Sequence, residues 1–298
     1  MTKAASSTKP PPVRPVVTAP AKTNGAAKGP AKARPGGSYG PLADLESHLP
    51  QEWWRELFDS LYLRTDGDVV ENDANTVREV DMLVQATGLT AGDKILDLCC
   101  GPGRWSIPFA RRGFRVTGVD RTRRFLDRAR ADARRAGVQI EWVRQDMRDF
   151  VRPGAFDLAL SMFTSFGYFA DQGEDLLVLR NIFASLRPGG SLLMEMAGKE
   201  ILARVYQPTT STPLPDGSVL VERHEVFDGW SRIRNLWTFV KGEKARSWRF
   251  HVTIYSGQEL RYRLEQAGFT GVQLFGSFDG DEYGVDAKRL IAVARRPR

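Results

Sequence analysis

The sequence predicts a doubly wound α/β domain with a mostly parallel sheet, and three observations carry that expectation. Short apolar runs alternate with helix-period segments through the middle of the chain. The first of these runs, Lys94 to Leu98, passes straight into a turn bearing Gly101 and Gly103, the order that builds a nucleotide-sized site. Beyond Ala197 the pattern turns strand-rich, as an antiparallel insertion would.

Taken in order, residues 1–43 form a basic tail rich in Pro, Ala and Lys that cannot bury enough apolar surface to fold alone and is expected to be disordered. The domain then covers residues 44–298. Between Pro50 and Tyr62, Trp54, Phe58 and Leu61 recur at helical intervals. Asp73 to Gly88 is a helix with Val77, Val80, Leu83 and Val84 on one side and Gly88 as its stop. Lys94 to Leu98 is the first strand, and Arg104 to Arg112 is the helix whose first amides face the glycine turn. Further strands follow at Phe114 to Asp120, near Ile140 to Met147 and at Ala155 to Phe163; Pro188-Gly-Gly190 then ends a helix and leads into Ser191 to Ala197. Residues 199–255 are read as the insertion, with strands Val219 to Phe227, Ser231 to Lys241 and Ser247 to Tyr255. Ser256 caps Gln258 to Ala267, and Phe269 to Phe278 with Leu290 to Ala294 supply two final strands.

The glycine turn departs from a dinucleotide fingerprint. Gly101, Gly103 and Ser106 stand where three glycines are usual, and an additional acid, Asp97, sits at the turn, where it repels a pyrophosphate and attracts a cation. Asp97-Leu-Cys-Cys-Gly-Pro-Gly103 resembles the first motif of the class I S-adenosylmethionine-dependent methyltransferases, and from about Val77 to Arg298 further landmarks fall in that family's order. Asp120, 23 residues after Asp97, ends the second strand, where a carboxylate accepts both ribose hydroxyls. The resemblance implies a Rossmann-like, seven-stranded sheet of order 3-2-1-4-5-7-6 and S-adenosylmethionine as cofactor. It implies Asp97, Cys99, Gly101, Gly103, Asp120, Arg121, Asp146, Met147 and Phe163 as the cofactor-binding set, with Asp146 and Met147 at the adenine. It also makes Tyr62, on an N-terminal segment, part of a lid.

Methyl transfer needs alignment above all, and a base only where the acceptor holds a proton. His251, Thr253 and Tyr255 share a strand face by alternation, so His251 is the candidate base. Tyr62, Phe166, Tyr168, His224, Tyr255 and Tyr283 are candidate substrate residues; the aromatic run after the fourth strand stands where an Asn-Pro-Pro-Tyr motif is absent. Cys99 and Cys100, the only cysteines, read as turn residues, and no cluster has metal spacing. The net charge of +7 lies in the tail, whose seven basic residues meet no acid; the remaining 36 basic and 36 acidic residues balance, which disfavours a nucleic-acid partner. No run is apolar enough to span a membrane, and a cytoplasmic setting is expected. The expected activity is methylation of a small-molecule O, N or C nucleophile. The rivals are a peptide or RNA methyltransferase, a nucleotide-binding oxidoreductase, and a donor-binding fold without transfer activity. Oligomeric state is left open.

Overall fold

Successive side chains of the first strand go to opposite sides of the sheet, and both sides are apolar. Ile95 joins a cluster with Val80, Phe109 and Leu158, whereas Leu96 joins one with Ala159, Leu179 and Leu192. A strand buried on both faces requires helices on both faces, which is the doubly wound arrangement. The structure is a computed structural model that describes residues 53–58 and 73–298; the basic tail and Tyr62 lie outside the described residues.

The strands are β1 (Lys94–Leu98), β2 (Arg115–Asp120), β3 (Glu141–Arg144), β4 (Phe156–Ser161), β5 (Leu186–Met196), β6 (Thr209–Pro213), β7 (Val219–Phe227), β8 (Arg232–Lys241), β9 (Lys244–Thr253), β10 (Thr270–Phe275) and β11 (Leu290–Arg295). The described helices are α1 (Trp54–Leu57), α2 (Asp73–Thr87), α3 (Ser106–Arg111), α4 (Arg123–Arg135), α5 (Gln172–Ser185), α6 (Lys199–Val205) and α7 (Gly257–Gln266). The main sheet runs β3-β2-β1-β4-β5-β11-β10. With β10 and β11 as its sixth and seventh strands, this is the expected order, and only β11 runs opposite to the other six. The order reverses between β1 and β4, so a crevice opens at their carboxyl ends.

The insertion is a second, antiparallel sheet of order β6-β7-β8-β9. It contains α6 ahead of it and β6 at its edge, neither of which the sequence pattern announced. The side chains of β6 are nearly all exposed, so the strand leaves no apolar alternation to read. Two boundaries also shift. The helix after the turn starts at Ser106 and not Arg104, because Gly103 N still closes a turn on Cys100 O (3.0 Å). β5 takes in Pro188-Gly-Gly190, since Gly189 N bonds Arg296 O (3.0 Å) and Gly190 leaves no room for a Cβ against the backbone oxygens of Arg187 and Asp157.

Tyr255, just past β9, turns into the core and donates its hydroxyl to Asp175 Oδ2 (2.7 Å) in the first turn of α5. Burial pushes the Asp175 carboxyl up to about 7, against 3.8 for an ordinary aspartate. The folded chain therefore holds one more proton than the unfolded chain between those values. Its stabilising effect is complete below about pH 4 and is lost as pH rises through 7. Asp175→Asn keeps an acceptor for Tyr255 and is expected to flatten this slope, raising stability at pH 8 by about 2 kcal/mol. Urea unfolding at pH 5 and pH 8 checks it; an unaltered pH slope would mean that Asp175 is not the source.

Candidate functional site

Two carboxylates shape the turn between β1 and α3. Asp120, at the end of β2, accepts Gly101 N on Oδ2 (3.0 Å) and Thr122 N on Oδ1 (2.7 Å), which ties the glycine turn to the neighbouring strand. Each oxygen keeps a lone pair for a ligand. Asp97 is 2% exposed and accepts the Ser106 hydroxyl on Oδ2 (2.6 Å). Burial pushes its carboxyl up to about 6, with the Ser106 bond opposing, and burial likewise raises Asp120. The turn itself needs left-handed backbone at Cys99 (φ 61°), Gly101 (54°) and Gly103 (87°). A Cβ on Gly103 would sit 2.8 Å from the Trp142 ring, so this glycine permits close packing of turn on β3.

Asp146, just past β3, is gripped by a residue two positions on. Arg148 donates Nε to Oδ1 and Nη2 to Oδ2, both at 3.0 Å, and Nη1 to Glu174 Oε1 (2.6 Å). Burial raises the Asp146 carboxyl, but the Arg148 bonds outweigh it and hold the group below the usual range. The same guanidinium lies 4.6 Å from the Phe169 ring centre and 5.6 Å from that of Trp54. One arginine thus links the acid to the aromatic end of the crevice.

That end is built on strained backbone. Phe163 (φ 56°) and Thr164 (φ 54°) follow β4 in left-handed conformations unusual for side chains of their size. The strain is held by Glu195, whose Oε2 accepts Phe163 N (2.8 Å) and whose backbone oxygen accepts Thr164 N (3.0 Å), while Arg289 Nη1 fixes Oε1 (3.0 Å). Arg104 is pinned to α2 through Thr76 Oγ1 (2.7 Å), and its guanidinium lies 5.7 Å from the Phe163 ring centre.

These elements leave a crevice between them. Asp97, Cys99, Gly101, Asp120, Arg121, Asp146, Met147 and Phe163 line it together with Tyr168, whereas Gly103 does not. Among the described residues its lining sets three carboxylates against the two guanidiniums of Arg104 and Arg121, a balance that suits a positively charged ligand better than a pyrophosphate.

Comparison with known proteins agrees with this geometry. Residues 95–190 match a family model described as a methyltransferase domain. A putative methyltransferase of Geobacillus sp. is 25% identical over 214 residues, covering 70% of this chain and 87% of its own. Glycine/sarcosine N-methyltransferase of Halorhodospira halochloris is 23% identical over 232 residues, covering 77% and 85%. The CcbJ methyltransferase of Streptomyces caelestis shares the fold with a TM-score of 0.66, at 20% identity over 78% of this chain and 96% of its own. Residues 95–190 thus carry a methyltransferase domain, and the chain is similar over most of its length to S-adenosylmethionine-dependent methyltransferases.

Several candidate residues of this methyltransferase lie away from the crevice. His251 sits beyond Trp53, with ring centres 6.4 Å apart, and does not line it. His224 pairs through Nδ1 with Asn235 Oδ1 (2.7 Å) in the inserted sheet. Phe166 stacks on Tyr255 in the core (5.4 Å), and Tyr283 donates to Glu200 Oε2 (2.8 Å). Phe169, the end of the aromatic run after the fourth strand, lines the crevice, and so do Trp54, Phe58 and Arg104, with Arg148 behind them, although the sequence reading named none of these last four as a site residue. For Arg148 a signal existed, a guanidinium two residues after the acid. Burial raises both thiols of Cys99 and Cys100, which disfavours a thiolate at either, and Cys99 Sγ lies 3.6 Å from Met147 Sδ. Among the described residues no group of three or more His, Cys, Asp or Glu is placed to hold a metal, and no helix is long and apolar enough to cross a membrane.

Proposed function

We propose that this methyltransferase acts on a small-molecule acceptor that enters at the aromatic end of the crevice. In this reading Asp120 accepts the ribose hydroxyls, Asp146 and Met147 meet the adenine, and Asp97 supplies negative charge toward the donor's amino-acid end. The bound S-adenosylmethionine supplies an electrophilic methyl group on a sulfonium. The rings of Trp54, Phe58, Phe163, Tyr168 and Phe169 exclude water and favour a cationic centre beside them.

The observation that carries the reading is the make-up of that wall, which is aromatic and, among the described residues, without imidazole or lysine amine. A wall without a ready base suits an acceptor that already offers a lone pair, and a neutral amine nitrogen meets that condition best. The relative named as a glycine/sarcosine N-methyltransferase methylates small amines by its name, which favours the same class. The charge balance outside the tail supports a small molecule over RNA. We place the enzyme in the cytoplasm, where two adjacent free thiols stay reduced.

Incubating the enzyme with radiolabelled methyl donor and a fractionated metabolite extract tests the proposal. Label is expected in a small, amine-bearing product with wild-type enzyme and not with Asp120→Ala. Label confined to protein or RNA fractions would contradict it.

A further inference from the structure

The aromatic end of the crevice holds a small hydroxyl that the donor site leaves without a role. Ser165 lines the crevice between Phe163 and Tyr168 and is half-buried there. Its backbone is fixed from both sides. Two residues earlier Phe163 N donates to Glu195 Oε2 (2.8 Å), one residue earlier Thr164 Oγ1 accepts Ala197 N (3.1 Å), and two residues later Gly167 O accepts Thr253 N (2.7 Å). A short segment tied in this way to β5 and to β9 holds Ser165 in place, as a group that orients a substrate must be held.

The hydroxyl is also committed in direction. Ser165 Oγ donates to Met162 O (2.7 Å), and a serine hydroxyl has one proton and two lone pairs. Toward the crevice this oxygen therefore accepts a hydrogen bond and has none to give. Met162, Phe163, Tyr168 and Phe169 stand beside it in the lining, so an alkyl group pressed against it would remove its water and leave the oxygen without a bond. The group that suits it is an N–H on the acceptor.

Resting on the reading that the acceptor is a small amine, we propose that Ser165 Oγ accepts an N–H of that amine, which makes the substrate a primary or secondary amine and excludes a tertiary one. With its N–H on Ser165, the nitrogen keeps its lone pair for the methyl group. In the transfer that lone pair forms the bond to the methyl carbon, the carbon–sulfur bond pair stays with sulfur, and the positive charge passes to nitrogen. The N–H held by Ser165 is then that of an ammonium, a stronger donor, so the bond stabilises the transition state more than the bound substrate. Ser165 orients the acceptor and takes no proton; the ammonium gives its proton to water as the product leaves.

The test uses the full chain, radiolabelled methyl donor and the amine-bearing fraction of a metabolite extract. Labelled product is passed over a cation exchanger at strongly alkaline pH, where secondary and tertiary amines lose their charge and elute, whereas a quaternary ammonium stays bound. The label is expected to elute. Over a dilution series of the same fraction, Ser165→Ala is expected to lower the saturating rate about tenfold, with a smaller shift in the half-saturating dilution and an unchanged calorimetric affinity for S-adenosylhomocysteine. Ser165→Thr, which keeps the hydroxyl, is expected to recover most of that rate. Label retained on the exchanger, a Ser165→Ala rate equal to wild type, or a loss of S-adenosylhomocysteine affinity as large as the loss of rate would each overturn the role of Ser165 and leave the amine reading standing. No label in the amine fraction, from wild-type enzyme that binds S-adenosylhomocysteine, would instead remove the amine reading on which that role rests.

Discussion

Asp120→Ala is expected to weaken S-adenosylhomocysteine binding by a hundredfold or more, about 3 kcal/mol, with little loss of fold stability. The two halves of this expectation have separate causes. The carboxylate anchors Gly101 N and Thr122 N, so its removal frees the glycine turn and also takes away the acceptors for the ribose. Against this, burial already raises the Asp120 carboxyl, which means that the folded state carries a cost for its charge that alanine removes. Calorimetry for affinity and thermal melting for stability read the two apart. Equal losses in both would make Asp120 a structural residue and nothing more.

Gly167→Ala should act on the fold and the site together. Gly167 has φ 91°, and a Cβ there would sit 2.5 Å from the backbone oxygen of Thr253, an atom that cannot swing aside as a side-chain tip would. Either the wall carrying Tyr168 and Phe169 moves or the inserted sheet does, and the 2.7 Å bond from Thr253 N to Gly167 O is lost with it. We expect a destabilisation of about 3 kcal/mol and a rise in acceptor KM, with donor affinity nearly kept because Asp97, Asp120 and Asp146 lie on other elements. Urea unfolding and steady-state kinetics measure these; wild-type stability would show that the junction yields without cost.

The sheet order and the donor end of the site were legible because their determinants are contiguous. One stretch from Lys94 to Gly103 contains strand, acid and both turn glycines, and Asp120 closes the following strand. The acceptor end was not legible for the opposite reason. Arg148, Trp54 and Phe58 reach the crevice from separate elements through tertiary packing, which no local spacing encodes. Alternation correctly put His251 and Thr253 on one face, but period two does not say what that face looks toward. Tyr255 shows the limit of the same argument: β9 ends at Thr253, so the alternation no longer applies and Tyr255 is free to turn inward to Asp175. The strained pair Phe163 and Thr164 gave no sign in composition, because their conformation is imposed by Glu195 from β5.

The central claim is that the crevice rimmed by Asp97, Asp120 and Asp146 binds an adenosyl group joined to a cationic amino acid and not a dinucleotide. Thermal melting of the full chain with S-adenosylmethionine, and separately with NADH, tests it most directly. The account predicts a concentration-dependent rise in Tm with S-adenosylmethionine, abolished in Asp120→Ala, and no shift with NADH. A shift with NADH and none with S-adenosylmethionine would contradict it.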